Sequence, residues 1–181
     1  MCVATTGTLT NFSGDGIDVA IRYGGGDYPG LTSEFLAAED VSPVCSPRLM
    51  AGEHPLKTPE DLEYPTLIRD AYPIDWAVWL ESAGVTDVDP KGGLTFDFYT
   101  FAIEAAVQGE GVALGRTMLV EGDLAAGRLV RPFEHALQAQ SSFYLVYPPE
   151  VIRQRKVKAF RDWLFFEIGD ASLAAGGARR S

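Results

Sequence analysis

The sequence predicts an α/β fold with largely parallel strand pairing, organised as two lobes. Short β-branched runs alternate with amphipathic segments along the chain, which is typical of strands joined by helices. A long extended segment at residues 31–45 leads into a compact middle block, and a strand at residues 143–147 leads out of it. We therefore assign residues 1–45 and 143–168 to lobe one, residues 46–142 to lobe two, and residues 169–181 to a flexible tail. A cleft is expected between the lobes.

Lobe one begins with a predicted strand at residues 3–9, followed by a second at residues 17–23. The second strand runs into Gly24, Gly25 and Gly26, where no Cβ obstructs the backbone. Strand ends of this kind hold ligands in open α/β sheets. The three glycines fit either an anion-binding backbone loop or a flexible surface loop.

Lobe two is predicted to begin with short helices at Ser46-Pro47 and Thr58-Pro59, since Ser or Thr before Pro is a frequent helix start. Glycines at 84, 109 and 127 mark helix ends. The remaining predicted elements are strands at residues 66–69, 93–98, 112–114 and 129–133, and helices at residues 74–83, 99–108 and 118–126. A helix at residues 151–168 completes lobe one.

Composition excludes several classes of protein. The chain has 181 residues and a formal net charge of −10, which argues against a free-standing nucleic-acid binder. The sequence lacks an apolar run of 18 residues and a basic start followed by an apolar stretch, so we expect a cytoplasmic protein. Cys2 and Cys45 form no CxxC pair, and His54 lies far from His135. We therefore expect no metal site.

No catalytic pattern is present in the sequence. A nucleophile elbow and an HExxH motif are both missing, so we expect no enzyme activity. The glycines from Gly109 to Gly115 follow a helix and precede a strand, the reverse of the order that dinucleotide binding requires, and no cofactor is expected. Arg22 and Arg116 each end a strand, where each fits either a carboxylate-binding site or an ion pair with an acidic neighbour.

Taken in order, the segments resemble the effector-binding domain of LysR-type transcriptional regulators, in the branch that includes the glycine-cleavage activator. Each motif is weak alone, but the ordered set from about residue 3 to residue 168 is specific. The motifs are Asp15-Gly-Ile-Asp-Val-Ala-Ile-Arg-Tyr-Gly24, Pro43-Val-Cys-Ser-Pro47, Leu56-Lys-Thr-Pro-Glu-Asp-Leu62, Thr66-Leu-Ile, Trp76 with Trp79-Leu80, Ala105-Ala-Val-Gln-Gly-Glu-Gly-Val-Ala-Leu-Gly-Arg116, Leu124-Ala-Ala-Gly-Arg-Leu-Val-Arg-Pro-Phe133, Tyr144-Leu-Val and Phe160-Arg-Asp-Trp-Leu164.

The resemblance implies a periplasmic-binding-protein-like (type 2) fold of two Rossmann-like lobes joined by two crossover strands. It also implies a small effector, often a carboxylate or an amino acid, in the interlobe cleft. The positions that match effector-binding elements of the family are Thr5, Thr6, Arg22, Tyr23, Phe98, Tyr99 and Thr100. A helix N-terminus at the last three would favour an anion.

The same resemblance implies a homodimer or tetramer that binds DNA only through an N-terminal winged helix-turn-helix, with no membrane partner. That DNA-binding domain, and the family's first strand, turn and helix of the effector domain, have no counterpart in this sequence. A stand-alone binding module of the solute-binding-protein type is the alternative, which the missing export signal disfavours. An enzyme on the same architecture is a third possibility.

Overall fold

The computed structural model describes residues 11–12, 14, 16–71 and 74–177, with residues 170–177 described by backbone alone. The predicted strand at residues 3–9 lies outside the described residues. The elements in chain order are β1 Ala20–Gly24, β2 Thr32–Cys45, 3₁₀ helices Pro47–Met50 and Pro59–Glu63, β3 Leu67–Arg69, α1 Trp76–Ala83, β4 Leu94–Thr95, α2 Tyr99–Gln108, β5 Val112–Arg116, α3 Thr117–Ala125, β6 Leu137–Tyr147, a 3₁₀ helix Pro149–Arg153 and α4 Arg155–Gly177.

The described chain divides into two compact units. Unit 1 comprises the described residues up to Ala38 and from Gln140 onward, and unit 2 comprises Glu39–Ala139. The chain passes from unit 1 to unit 2 within β2 and returns within β6. The lobe boundaries drawn from the sequence, at residues 45/46 and 142/143, stay a prediction.

Unit 2 is a sheet with a hydrophobic cluster on each face. The end of β2 pairs antiparallel with β5, whereas β3 pairs parallel with both β5 and β4. Because successive side chains of a strand point to opposite faces, Leu67 packs in one cluster and Ile68 in the other. The first cluster contains Trp76 and Trp79 of α1, and the second is closed by α2 and α3.

The glycines that end α1 and α2 lie where the sequence predicts, whereas α1 begins at Trp76 and not at the expected residue 74. The Asp75 carboxylate accepts a hydrogen bond of 3.1 Å from the Val78 N–H and caps α1. Gly84 and Gly109 end α1 and α2 with φ of 74° and 87°, a left-handed conformation that side chains with a Cβ rarely adopt. Local chemistry therefore sets these boundaries.

Unit 1 contains β1 paired antiparallel with β6, from Ala20 opposite Val146 to Gly24 opposite Ser142. Its hydrophobic cluster lies between this sheet and α4, around Leu145 and Leu164. The Glu34 carboxylate joins β2 to α4, because it accepts a 2.7 Å hydrogen bond from Arg161 Nε. Tyr147 Oη donates to the same carboxylate.

Pairing direction is one correction to the sequence-based expectation. The strands were expected to pair largely in parallel, but two of the four described pairings are antiparallel. The parallel rule applies to strands joined by a crossover helix. Both antiparallel pairs involve β2 or β6, the strands on which the chain passes between units, so that rule does not govern their direction.

The predicted strand at residues 129–133 is wrong. Only Val130 makes a bridge, to Cys45, and Pro132 lacks the N–H that would extend a ladder. The returning strand instead begins earlier than predicted, at Leu137. The first half of β6 contains polar Gln and Ser residues, so a pattern of apolar residues does not reveal it.

The last helix is longer than predicted. It was expected to end at residue 168, with residues 169–181 as a flexible tail, but α4 continues to Gly177. Alanines in this stretch favour helix continuation over the terminating effect of Gly169. In the part of the chain that the structure describes, no helix is long and apolar enough to cross a membrane.

Candidate functional site

In unit 2, an acidic and a basic side chain meet at one edge of the sheet. Asp70 directly follows β3 and Arg116 ends β5, and these strands run parallel, so their carboxyl ends share that edge. Arg116 Nη2 lies 2.9 Å from Asp70 Oδ2, and the two side chains are 16% and 15% exposed. The ion pair is thus mostly buried but within reach of solvent. The sequence allowed two roles for Arg116, carboxylate binding or an ion pair with an acidic neighbour. The structure shows the ion pair.

Tyr99, the first residue of α2, holds Arg116 through two further contacts. The Arg116 backbone N–H donates a 2.9 Å hydrogen bond to Tyr99 Oη. The guanidinium carbon lies 4.2 Å from the centroid of the Tyr99 ring, a cation–π distance. Burial raises the pKa of Tyr99 to about 12, against a smaller lowering by Arg116. The phenol is therefore protonated at neutral pH, and Arg116 is fixed in one orientation.

A small cavity of about 20 Å³ lies beside this cluster. Its polar lining comes from Arg69, Asp70, Asp75 and Tyr99, and apolar residues of β3, α1, α2 and β5, together with Ile74, line the rest. This volume is enough for about one water molecule. A larger group can therefore enter only if a lining side chain moves.

The start of α2 brings together three residues that the family resemblance singles out. Phe98 is the N-cap residue and makes no side-chain capping hydrogen bond. Phe98 is 66% exposed, and its ring stacks edge-on against Phe101 at 6.0 Å. Thr100 is exposed and Tyr99 is half-buried. With no side-chain cap, the first-turn N–H groups and the positive end of the helix dipole favour an anion here.

In unit 1, Arg22 and Tyr23 are successive residues of β1 and so point to opposite faces of that strand. The Arg22 guanidinium carbon lies 4.9 Å from the ring centroid of Tyr28 and 5.6 Å from that of Phe12. The Tyr23 ring lies 5.0 Å from the Phe143 ring. Thr5 and Thr6 lie outside the described residues.

Sequence reasoning did not single out Asp70 as a binding residue, and it left Arg116 open between a carboxylate-binding role and an ion pair. Asp70 and Arg116 gain their interest from being neighbours, which depends on β3 and β5 being parallel partners. The sequence signal was present as two charged residues at strand ends. Trp76 and Trp79 are core residues, 1% and 0% exposed.

Metal binding has no structural support within the described ranges. No group of three or more His, Cys, Asp or Glu side chains there could hold a metal ion. His135 instead lies 2.8 Å from the Ser82 hydroxyl, measured from its Nε2 atom.

The family model of the LysR substrate binding domain matches residues 2–165 of this chain. The chain belongs to this family. The matched range covers most of the chain, and it holds the Asp70–Arg116 pair and the start of α2. Membership confirms the resemblance that the ordered motifs indicate.

Individual relatives support the same assignment. The LysR domain is 43% identical over 150 residues to the glycine cleavage system transcriptional activator of Escherichia coli (strain K12), covering 83% of this chain and 49% of that protein. It therefore spans about half the length of the curated relatives it matches.

Solved structures show the fold. The AmpR effector binding domain of Citrobacter freundii has a TM-score of 0.71 and 26% identity, over 90% of this chain and 80% of that one. The effector domain of AmpR from Pseudomonas aeruginosa has a TM-score of 0.70 and 29% identity, over 96% of this chain and 81% of that one. The periplasmic-binding-protein-like type 2 fold is confirmed.

Proposed function

We propose that this LysR domain senses a small carboxylate or amino acid for a transcriptional regulator, and that the effector binds at the start of α2. The uncapped N-terminus of α2 beside the fixed guanidinium of Arg116 carries this proposal. Both features attract negative charge. The interlobe cleft and the unit 1 residues Thr5, Thr6, Arg22 and Tyr23 remain part of the hypothesis.

Sensing works by a shift between conformations. An effector changes the regulator only through a difference in its affinity for two conformations of the domain. In the complete protein, which acts in the cytoplasm as a homodimer or tetramer, that shift re-spaces winged helix-turn-helix domains on DNA. DNA contact belongs to those domains, since this chain has a net charge of −10.

A catalytic role has less support than sensing. The relatives named above are transcriptional regulators and effector-binding domains. A stand-alone solute-binding module is not favoured by these relatives.

A thermal-shift screen of amino acids and small carboxylates against the full chain tests sensing. At least one compound should raise the Tm of the wild-type protein progressively as its concentration is increased, as binding to the native state requires. A screen in which no compound raises the Tm contradicts the proposed sensing.

A matched pair of substitutions tests the location. Thr100→Asp places a carboxylate in the first turn of α2, where it suits the helix dipole and repels an anionic effector. Thr100→Asn is the neutral control of similar size. The Asp variant should fold and lose the ligand-induced Tm shift, and the Asn variant should keep it. Equal shifts in both variants would place the effector elsewhere.

Arg22 provides the corresponding test in unit 1. Arg22→Gln removes the charge, and Arg22→Lys keeps it while losing the planar geometry that pairs with a carboxylate. If Arg22 binds the effector, both variants should weaken the Tm shift, the Gln variant more. Unchanged shifts in both variants would remove Arg22 from the site.

A further inference from the structure

We propose that the outer face of α4 associates with the same face of a second copy of this chain, with the two helices antiparallel. This outer face is formed by Ala159, Trp163 and Phe166. The inference rests on the homo-oligomer of the proposed function, and it names a surface through which two copies meet. An exposed aromatic stripe and the division of charge along α4 carry it.

The outer face of α4 is apolar although it points away from the core. Leu164 and Ile168, on the inner face, belong to the packing of the unit 1 cluster. Ala159, Trp163 and Phe166 follow one another at spacings of four and three residues, so they share one side of the helix. Trp163 and Phe166 are 51% and 64% exposed. An apolar stripe with this spacing is typical of the seam between two packed helices.

Charge is divided along the same helix. The basic residues of α4 all lie in its first part, at Arg155, Lys156, Lys158 and Arg161, and its acidic residues all follow, at Asp162, Glu167 and Asp170. An antiparallel pair of α4 helices places the basic part of each copy against the acidic part of the other. A parallel pair would place like charges together. Because two-fold symmetry repeats every contact, this pattern favours a second copy as the partner and antiparallel as the orientation.

The sizes of the side chains on the outer face fit the same arrangement. In an antiparallel pair centred between Ala159 and Trp163, the alanine of each copy lies opposite the tryptophan of the other, so a small residue receives a large one. In that register Arg155 lies opposite Glu167, and both residues are exposed. The Glu167 carboxylate is held at the edge of the face, because its Oε1 accepts a 3.0 Å hydrogen bond from Trp163 Nε1.

Two other charges of α4 have partners within the chain. Lys156 Nζ lies 2.5 Å from Asp18 Oδ2, and Asp162 Oδ1 accepts a 3.0 Å hydrogen bond from Arg161 Nη1. Asp162 lies near the centre of the proposed pair, and its contact with Arg161 lowers the repulsion between the two copies of that carboxylate. Arg155 and Glu167 are therefore the positions at which the charge pattern is best tested.

The association should be weak and reversible. One pair of helices buries less surface than a standard protein–protein interface, so the dimer should dissociate on dilution. Sedimentation velocity of the full chain over a range of concentrations should show a rise from the monomer mass to the dimer mass. The dilute chain used in unfolding measurements is then monomeric, with Trp163 exposed as in the structure.

Arg155→Glu and Glu167→Arg are a matched pair of charge reversals. Each variant alone places like charges opposite one another at two symmetric contacts, so its dimer Kd should rise about tenfold. A 1:1 mixture of the two variants should restore association to the wild-type level, because each contact between the unlike copies then joins opposite charges. Structural damage would not be repaired by mixing, and circular dichroism checks the fold of each variant.

Phe166→Ser tests the apolar part of the outer face. Loss of this side chain from both copies should raise the dimer Kd about tenfold. Tyr64→Ser in unit 2 is the control, because Tyr64 is an aromatic residue of similar exposure, 53%, away from α4. Its dimer Kd should equal that of wild type.

Three results would overturn the proposal. In the first, the wild-type chain stays monomeric at every concentration. In the second, the mixture of charge-reversed variants associates no more tightly than either variant alone. In the third, Tyr64→Ser weakens association as much as Phe166→Ser does. Sensing fails separately, because a chain that dimerises but responds to no screened compound would contradict only the proposed sensing, and a monomer that responds to one would contradict only this interface.

Discussion

The two units differ in the size of the apolar clusters that they bury. Unit 2 covers both faces of its sheet, and Trp76 and Trp79 are 1% and 0% exposed. In unit 1, the cluster around Leu145 has four buried members among the described residues. Trp163 and Phe166 on α4 are 51% and 64% exposed.

The difference indicates where stability resides. Burial of apolar surface contributes roughly 25 cal/mol per Å², so among the described residues the larger clusters of unit 2 contribute more hydrophobic stabilisation than the cluster of unit 1. The cluster of unit 1 depends more on polar ties between its elements, such as the Glu34–Arg161 pair. Substitutions of one residue type in both units test this contrast directly.

The largest expected effect is the replacement of a buried tryptophan. Trp79→Ala should lower the free energy of unfolding by about 4 kcal/mol, because the cavity left in a packed core does not collapse fully. Trp163→Ala should cost about 1 kcal/mol or less, since half of that side chain already contacts solvent. Urea unfolding followed by circular dichroism measures both. Equal losses would show that Trp163 is covered in solution, and the contrast between the units would fail.

Replacing one glycine in each unit by alanine should have the next largest effect on the free energy of unfolding. Gly93 has φ of 89°, and a Cβ there would lie 2.0 Å from the Leu67 carbonyl oxygen, so Gly93→Ala should cost about 3 kcal/mol. In unit 1, Gly26 has a similar φ of 86°, but the atoms nearest to a Cβ there belong to the Tyr144 side chain, at 2.6 Å. A side chain can move where backbone cannot, so Gly26→Ala should cost about 1.5 kcal/mol. Tm values of the two variants rank them. A larger loss for Gly26→Ala would show that Tyr144 is rigidly packed.

Replacing the arginines of two ion pairs, one in each unit, should give a smaller difference in the free energy of unfolding. Arg116→Gln should cost about 2 kcal/mol, because it removes a charge-assisted hydrogen bond between two mostly buried side chains. Arg161→Gln should cost about 1 kcal/mol, since Arg161 is 34% exposed and solvent screens its pairing with Glu34. The loss of unfolding free energy caused by Arg161→Gln should depend more strongly on salt concentration than the loss caused by Arg116→Gln. A salt-independent Arg161 value would indicate an effectively buried pair.

The smallest effect is a pH dependence at alkaline pH. Burial raises the pKa of Tyr99 in the folded protein to about 12, above its usual value of 10.0. Between these values the unfolded chain loses the Tyr99 proton and the folded chain keeps it, so this contribution is complete below pH 10.0 and falls as pH rises to about 12. Tyr99→Phe should therefore lose about 1 kcal/mol less than wild type between about pH 10 and pH 11.

Alkaline unfolding curves and the absorbance of tyrosinate measure the effect of Tyr99. Tyr147→Phe is the comparison in unit 1, where burial and then the hydrogen bond to Glu34 raise the pKa of Tyr147. An alkaline decline that is the same in wild type and Tyr99→Phe would show that Tyr99 titrates normally.

Element positions in unit 2 follow closely from the sequence. Asp75 and Gly84 bound α1, and Gly109 ends α2, because capping and left-handed φ depend on residues next to each other in the chain. The α/β class and the family also follow from the order of motifs. The errors occur where residues distant in sequence decide, as at residues 129–133, where Val130 meets Cys45 through one bridge.

The sequence by itself determined the fold class, the family and the start of α2 as a candidate site. Only the tertiary structure decided that Arg116 pairs with Asp70 and stacks on Tyr99, and that Trp79 is buried whereas Trp163 is exposed. The physical reason is the distance along the chain over which each interaction acts. Helix caps and strand patterns act within a few residues, whereas ion pairing and burial depend on which strands become neighbours in the sheet.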